Sequence, residues 1–315
     1  MLSRVADALY WMGRYLERSE NITRLLLVTD DFSIETQGLA EQVAQAAWKD
    51  LLAIFPSAQV APPASAFAPM SQAYLVGFFL DGVNPYSVHY SLRKARENAR
   101  SVREALTVEA FLTINETFRT LESHARRGLA DLPALRDALG ATHRGLFTTI
   151  GAIEHTFTRD ESWLFLKLGE SLERVYRAAL VLRAKLPGLG AAEPRADVTL
   201  YYTQWRTLLR ALGSLENYRR AWGARLEPDL VVQFLLFDQH SPRSLRYGTE
   251  MVKEHLARIA GDPGPAARLV GRLHADLCYH DGSLAPGGDY AGFLDRVVDV
   301  MGQAHDALSV QYFAT

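Results

Sequence analysis

LSRVADALYWMGRYLERSENITRLL, residues 2–26, decides the fold class. Val5, Leu9, Met12 and Leu16, then Thr23 and Leu26, fall at steps that put them on one stripe of a long helix. Ser3 offers an N-cap for it. The same text returns half a chain later. Met12-Gly13-Arg14-Tyr15-Leu16-Glu17-Arg18 is echoed by Leu168-Gly169-Glu170-Ser171-Leu172-Glu173-Arg174, an offset of 173 − 17 = 156. Trp48-Lys49-Asp50-Leu51-Leu52 recurs as Trp205-Arg206-Thr207-Leu208-Leu209, and DGVNPYSV (81–88) as DQHSPRSL (238–245), with 205 − 48 and 238 − 81 both 157. The chain therefore reads as all-α: two tandem, pseudo-symmetric helical-bundle repeats, 1–157 and 158–315, of about six helices each and packed as one body.

Helix punctuation supports that reading. Thr158-Arg159-Asp160-Glu161 has the form of a capping box opening the second Glu-Arg helix, and Asn84-Pro85 and Ser241-Pro242 pair a cap residue with a proline suited to the first helical position. Gly128, Pro187-Gly188 and Gly261-Asp262-Pro263-Gly264-Pro265 read as stops. Residues 56–69, PSAQVAPPASAFAP, have a composition that packs no core, and Pro286-Gly287-Gly288 marks a second loop.

Bulk properties narrow the function. A net charge of −2 and a pI near 6.5 argue against a general nucleic-acid or anionic-membrane surface. The lone Cys278 forms no internal disulfide, Arg4, Asp7, Arg14 and Glu17 leave no apolar signal-peptide core, and Tyr74 to Leu80 is too short to span a bilayer. A soluble, cytoplasmic protein is expected.

Three constellations carry possible chemistry. On the first helix Asp7, Arg14, Glu17, Arg18 and Asn21 share a face opposite the apolar stripe, with Tyr10 and Trp11 among them. Such a face is ordinarily solvated or a salt-bridge seam. Gly13 and Gly169, one turn ahead of each Glu-Arg pair, imply a close approach by a helix or a ligand. In the second constellation Arg93, Arg96, Arg100 and Arg103 follow at steps of 3, 4 and 3, one stripe able to grip phosphate or carboxylate, while Glu250, Lys253 and Arg258 do not reproduce it in the second copy. In the third, His274 and Cys278 stand at metal-ligand spacing before His280 and Asp281, but a four-ligand pattern is missing and no metal is assigned. No self-contained catalytic set emerges.

The opening segment, NPYSVHYSLRKARENARSVRE (84–104), YYTQWRTLLRALGSLENYRR (201–220) and SPRSLRY (241–247) resemble the bacterial alpha-E family across essentially the whole chain. The Glu-Arg motif that names that family is Glu17-Arg18 here, with a second instance at Glu173-Arg174. The resemblance implies an all-helical protein encoded beside an atypical ATP-grasp ligase, often with a transglutaminase-like peptidase. It implies a heterodimer with that ligase, ATP and Mg held by the ligase, and ATP-dependent amide-bond formation on a peptide or amino compound. Two alternatives stay open: a structural scaffold in which the Glu-Arg pairs lock the copies together, and an independent enzyme with Glu17 or Glu173 as general base. The residues expected at a substrate or partner are Arg14, Glu17, Arg18, Asn21, Arg93, Arg96, Arg100, Arg103, Glu173 and Arg174.

Overall fold

The structure, a computed structural model, describes residues 2–38, 40–55, 70–127, 131–191, 198–259, 264–280 and 290–313. Among them every regular element is helical. The α-helices are α1 (Ser3–Glu35), α2 (Glu41–Ile54), α3 (Met70–Leu75), α4 (Val88–Ser101), α5 (Val108–Arg127), α6 (Leu132–Thr156) and α7 (Glu161–Ala191). They continue as α8 (Val198–Ala211), α9 (Leu215–Trp222), α10 (Pro228–Phe237), α11 (Leu245–Arg258), α12 (Gly264–Cys278) and α13 (Tyr290–Leu308). The loop expected at 56–69, the stop at Gly128, the break at Gly261–Pro263, Asp281 and Pro286-Gly287-Gly288 lie outside the described residues. The chain divides into two compact units, residues 1–170 and 171–315, with the division inside α7.

In the first unit α1 is the hub and packs against α4, α6 and α2, while α5 pairs with α6 and α4. Its apolar stripe is buried as the periodicity predicts: Leu9, Met12 and Leu26 are fully enclosed and Leu16 nearly so. Beside it Trp48 of α2, Tyr74 of α3, Phe78 and Phe55 form an aromatic chain with centroids 5.5–6.2 Å apart. In the second unit α12 pairs with α11 and α13, and α10 meets α8, α9, α11 and α12.

The two glycines ahead of the Glu-Arg pairs mark a helix crossing, not a ligand. A Cβ on Gly13 would lie 2.0 Å from the Leu166 carbonyl oxygen, and one on Gly169 would lie 2.0 Å from that of Tyr10. Within the first unit α1 and the opening turns of α7 thus touch backbone to backbone, where only hydrogen fits. The contact is reciprocal, since 166 − 10 and 169 − 13 are both 156.

The loops leading into α4 and α11 are closely alike. Asp81 Oδ1 accepts from the amides of Val83 (2.8 Å) and Asn84 (3.3 Å), and Asp238 Oδ1 from those of His240 (2.8 Å) and Ser241 (2.6 Å). Ser87 Oγ accepts from Tyr90 N and Ser244 Oγ from Tyr247 N, each at 3.0 Å, and each hydroxyl donates back to the carbonyl of its aspartate. The caps are therefore Ser87 and Ser244, three residues after the expected Asn84 and Ser241. Pro85 and Pro242 sit in the turn, because the aspartate side chain has already claimed the amides at 84 and 241.

Other expected boundaries also shift. Leu2, not Ser3, occupies the cap position of α1, its carbonyl accepting from Val5 and Ala6, with no side-chain cap. At α7 the capping group is Asp160, whose carboxylate accepts from Trp163 N at 3.2 Å, so the helix opens at Glu161 and the Thr158 box is not formed. Pro187 does not end α7, which runs on to Ala191. Proline removes a single donor, and the turns before it are held by buried Val181, Leu182 and Leu186.

Candidate functional site

The polar face of α1 is not solvated. Arg14, Glu17 and Asn21 are buried, with Glu17 only 1% exposed, while Arg18 is half-buried. Burial around α1 also raises the Asp7 carboxyl above its usual range, opposed by a bond to Trp11. Arg14 lies over the Trp11 ring at 5.0 Å and the Tyr10 ring at 5.8 Å, and Arg18 over Tyr15 at 5.2 Å. One turn on is an ion pair that the sequence reading passed over. Glu20 is fully buried and accepts from Arg24 Nη2 at 2.9 Å, with His143 Nε2 of α6 3.5 Å from its other oxygen. The signal was present as a Glu-Arg i, i+4 step, of a kind that also occurs at exposed positions such as Glu216 and Arg220.

The second Glu-Arg pair has the same burial pattern. Glu173 is fully enclosed and Arg174 half-buried, as Glu17 and Arg18 are. Glu173 accepts from Arg177 Nε at 2.8 Å, and Arg177 is itself buried. In the first unit Lys167 of α7 bridges Glu154 of α6 and Glu170 at 2.5 and 2.6 Å. Each of these carboxylates has a cation in hydrogen-bond range, the condition under which a buried charge is tolerated.

The arginine row does not form one stripe. The helix that should carry it ends at Ser101, so Arg103 falls in a short 3-10 turn, donates to the Leu106 carbonyl at 3.1 Å and lies 4.5 Å from the Phe111 ring. Arg96 donates to Asn115 Oδ1 at 2.7 Å and covers Phe118, both on α5. Arg93 lies over Tyr90, 3.8 Å from Glu97, and Arg100 is exposed. Arg96 thus ties α4 to α5, and Arg103 ties the turn after α4 to α5. Next to them His89 Nε2 meets Glu122 at 2.6 Å, a bond that holds the Glu122 carboxyl below its ordinary value.

In the second unit His274 and Cys278 do meet, Nε2 to Sγ at 3.2 Å, with Thr249 Oγ1 3.2 Å from Nδ1 and Glu250 also on Nε2. Burial pushes His274 below the ordinary histidine value, outweighing the nearby Glu250 carboxylate. His280 turns away to pack on the Phe237 ring at 4.1 Å. Among the described residues no group of three or more His, Cys, Asp or Glu side chains is placed to hold a metal ion. No described helix is long and apolar enough to cross a membrane.

Two clefts went unforeseen. Beside α2, one of about 360 Å³ is lined by Asp30, Glu41, Trp48 and Arg136, with Arg136 donating through two nitrogens to Asp30. Beside α8, one of about 560 Å³ is lined by Tyr202, Arg206, Arg219, Arg225 and Glu227. Side chains from several elements make the walls of each, which no spacing rule reveals.

Comparison with known proteins adds a family. An uncharacterized protein of Mycobacterium bovis and one of Mycobacterium tuberculosis are each 28% identical over 291 residues, covering 87% of this chain and 32% of the relative. The chain thus spans about a third of the length of the curated relatives it matches. No solved structure matches it. A family model described as a predicted alpha-helical domain with a conserved ER motif matches residues 1–313, and the ER pairs of this sequence are Glu17-Arg18 and Glu173-Arg174. The chain belongs to the Alpha-E family.

Proposed function

We propose that the chain is a helical partner subunit of an ATP-grasp-type ligase in the cytoplasm, forming a heterodimer that makes amide or peptide bonds at the expense of ATP. The nucleotide and Mg belong to the ligase, and this chain contributes to substrate binding or to the shared site. The observation that carries the reading is the length of the mycobacterial relatives: the matched part is a third of each, so there the same helical unit works joined to other polypeptide. The resemblance of residues 2–26, 84–104 and 201–220 to a family encoded beside such ligases supplies the partner's class.

We also read the chain as two tandem pseudo-symmetric repeats, 1–157 and 158–315. The matched Asp81/Asp238 loops and the reciprocal Gly13 and Gly169 contacts support this. In this reading Glu17 and Glu173 are internal locks and not general bases, which their near-complete burial beside arginines favours. The test is to purify the chain with the ligase encoded beside it and measure mass by light scattering. A heterodimer is expected; two separate species at micromolar concentration would sink the proposal.

A further inference from the structure

The cleft beside α8 is a built feature of the second unit. α8 ends in a glycine turn: Gly213 at φ 63° donates to the Arg210 carbonyl, and Ser214 N reaches back to that of Leu209 at 2.8 Å. This fixes where α9 starts. α9 ends at Gly223, again at positive φ (68°), and the chain folds back over Tyr218. Tyr218 is fully buried, its ring edge-on to Phe234 at 5.6 Å, and its hydroxyl donates to the Arg225 carbonyl at 2.7 Å and accepts from Glu227 N. One enclosed phenol therefore pins the loop that carries Arg225 and Glu227 against α9.

The walls have a distinct chemistry. Arg206 from α8, Arg219 from α9 and Arg225 from the loop line the cleft against a single lining carboxylate, Glu227. Arg225 contacts Glu227, and Arg219 sits 3.1 Å from Glu216, both as exposed pairs. Exposed pairs of this kind are weak, so an incoming anion can take Arg219 and Arg225 over. Tyr202, 44% exposed, offers a ring face beside them. The volume of about 560 Å³ exceeds what an isolated phosphate needs and suits a small organic molecule. The cleft beside α2 is a contrast inside the same chain: its arginine is bound in a fork to Asp30, and Glu41 adds negative charge.

We infer that the cleft formed by α8, α9 and residues 223–227 binds a small organic anion, a carboxylate or phosphate carried on an aromatic or apolar body. The site lies wholly in this chain and stands whether or not a ligase partner exists. The test is calorimetric titration of the full chain with phenyl phosphate, benzoate and inorganic phosphate. One or both aromatic anions should bind saturably and more tightly than inorganic phosphate. The double variant Arg219→Gln/Arg225→Gln should weaken that binding at least about tenfold, with an unchanged thermal midpoint. The double variant Arg119→Gln/Arg144→Gln, an equal charge change at exposed positions of the first unit, should leave it as it was. No saturable binding of either aromatic anion, or binding unaltered in the double variant, would overturn the assignment. Inorganic phosphate binding as tightly as phenyl phosphate would overturn the aromatic or apolar body.

Discussion

The loops into α4 and α11 share their aspartate and serine hydrogen bonds residue for residue, whereas the clefts beside α2 and α8 share little chemistry. The first kind of feature sets backbone geometry. Asp81 and Asp238, Ser87 and Ser244 satisfy amides and carbonyls that any helix start leaves open, so their positions tolerate few replacements. The second kind is made of side chains facing outward. There Gln45 stands where the second unit has Tyr202, and Lys49 where it has Arg206, at the same offset of 157. The difference teaches that features built on backbone hydrogen bonds are alike in the two units, while the side chains that wall the clefts are not.

The sharpest way to break this comparison is at the buried ion pairs. Glu20→Ala removes a buried partner of Arg24 in the first unit, and Arg177→Ala a buried partner of Glu173 in the second. Each should cost about 3–5 kcal/mol, read from urea unfolding. A loss below 1 kcal/mol in either unit would show that water reaches the charge left behind.

Next comes the glycine crossing. Gly13→Ala and Gly169→Ala each drive a methyl into a backbone carbonyl, with an expected loss of about 1–3 kcal/mol. Because the contact is reciprocal, the two losses should agree closely. Ser87→Ala and Ser244→Ala should cost about 1 kcal/mol each, and an unequal pair would separate loops whose hydrogen bonds match.

The smallest expected effect is on pH dependence. Burial holds His274 below the ordinary 6.5, despite Glu250 and with Lys253 and Arg246 nearby. The unfolded chain then takes up the proton first, so stability contributed by this site falls as pH drops below that value. Glu122 is held below the ordinary 4.5 by His89, so its contribution is full above 4.5 and is lost only as the pH falls further, through its lowered value. Hydrogen exchange followed from neutral pH to about pH 5 should show α11 and α12 loosening before α4 and α5. His274→Gln should remove the early phase, and its persistence would show that another group controls it.

Much of this was legible in the text of the chain. The apolar stripe of α1, the absence of alternating patterns and the repeated Asp-to-Ser loops pointed to helices, because burying one face requires a period near four. Gly13 and Gly169 pointed to a close approach for the same kind of reason. What stayed hidden depends on how neighbouring segments fold onto one another. Ser87 looks no better a cap than Asn84 until Asp81 is seen to take the Asn84 amide. Arg103 completes a row only if α4 continues past Ser101. The face carrying Arg14, Glu17 and Asn21 looks solvated until its burial is seen. The cleft at Arg219 and Arg225 exists because Tyr218 folds a loop onto α9, which spacing alone does not encode.

The central claim, that this scaffold serves a ligase, is tested most directly by steady-state ADP formation by the neighbouring ATP-grasp protein with an amino-compound or peptide acceptor. The account predicts little turnover by either protein alone and a rise of at least about tenfold when both are present, saturating at equal amounts. Full activity of the ligase alone, unaltered by adding this chain, would contradict it.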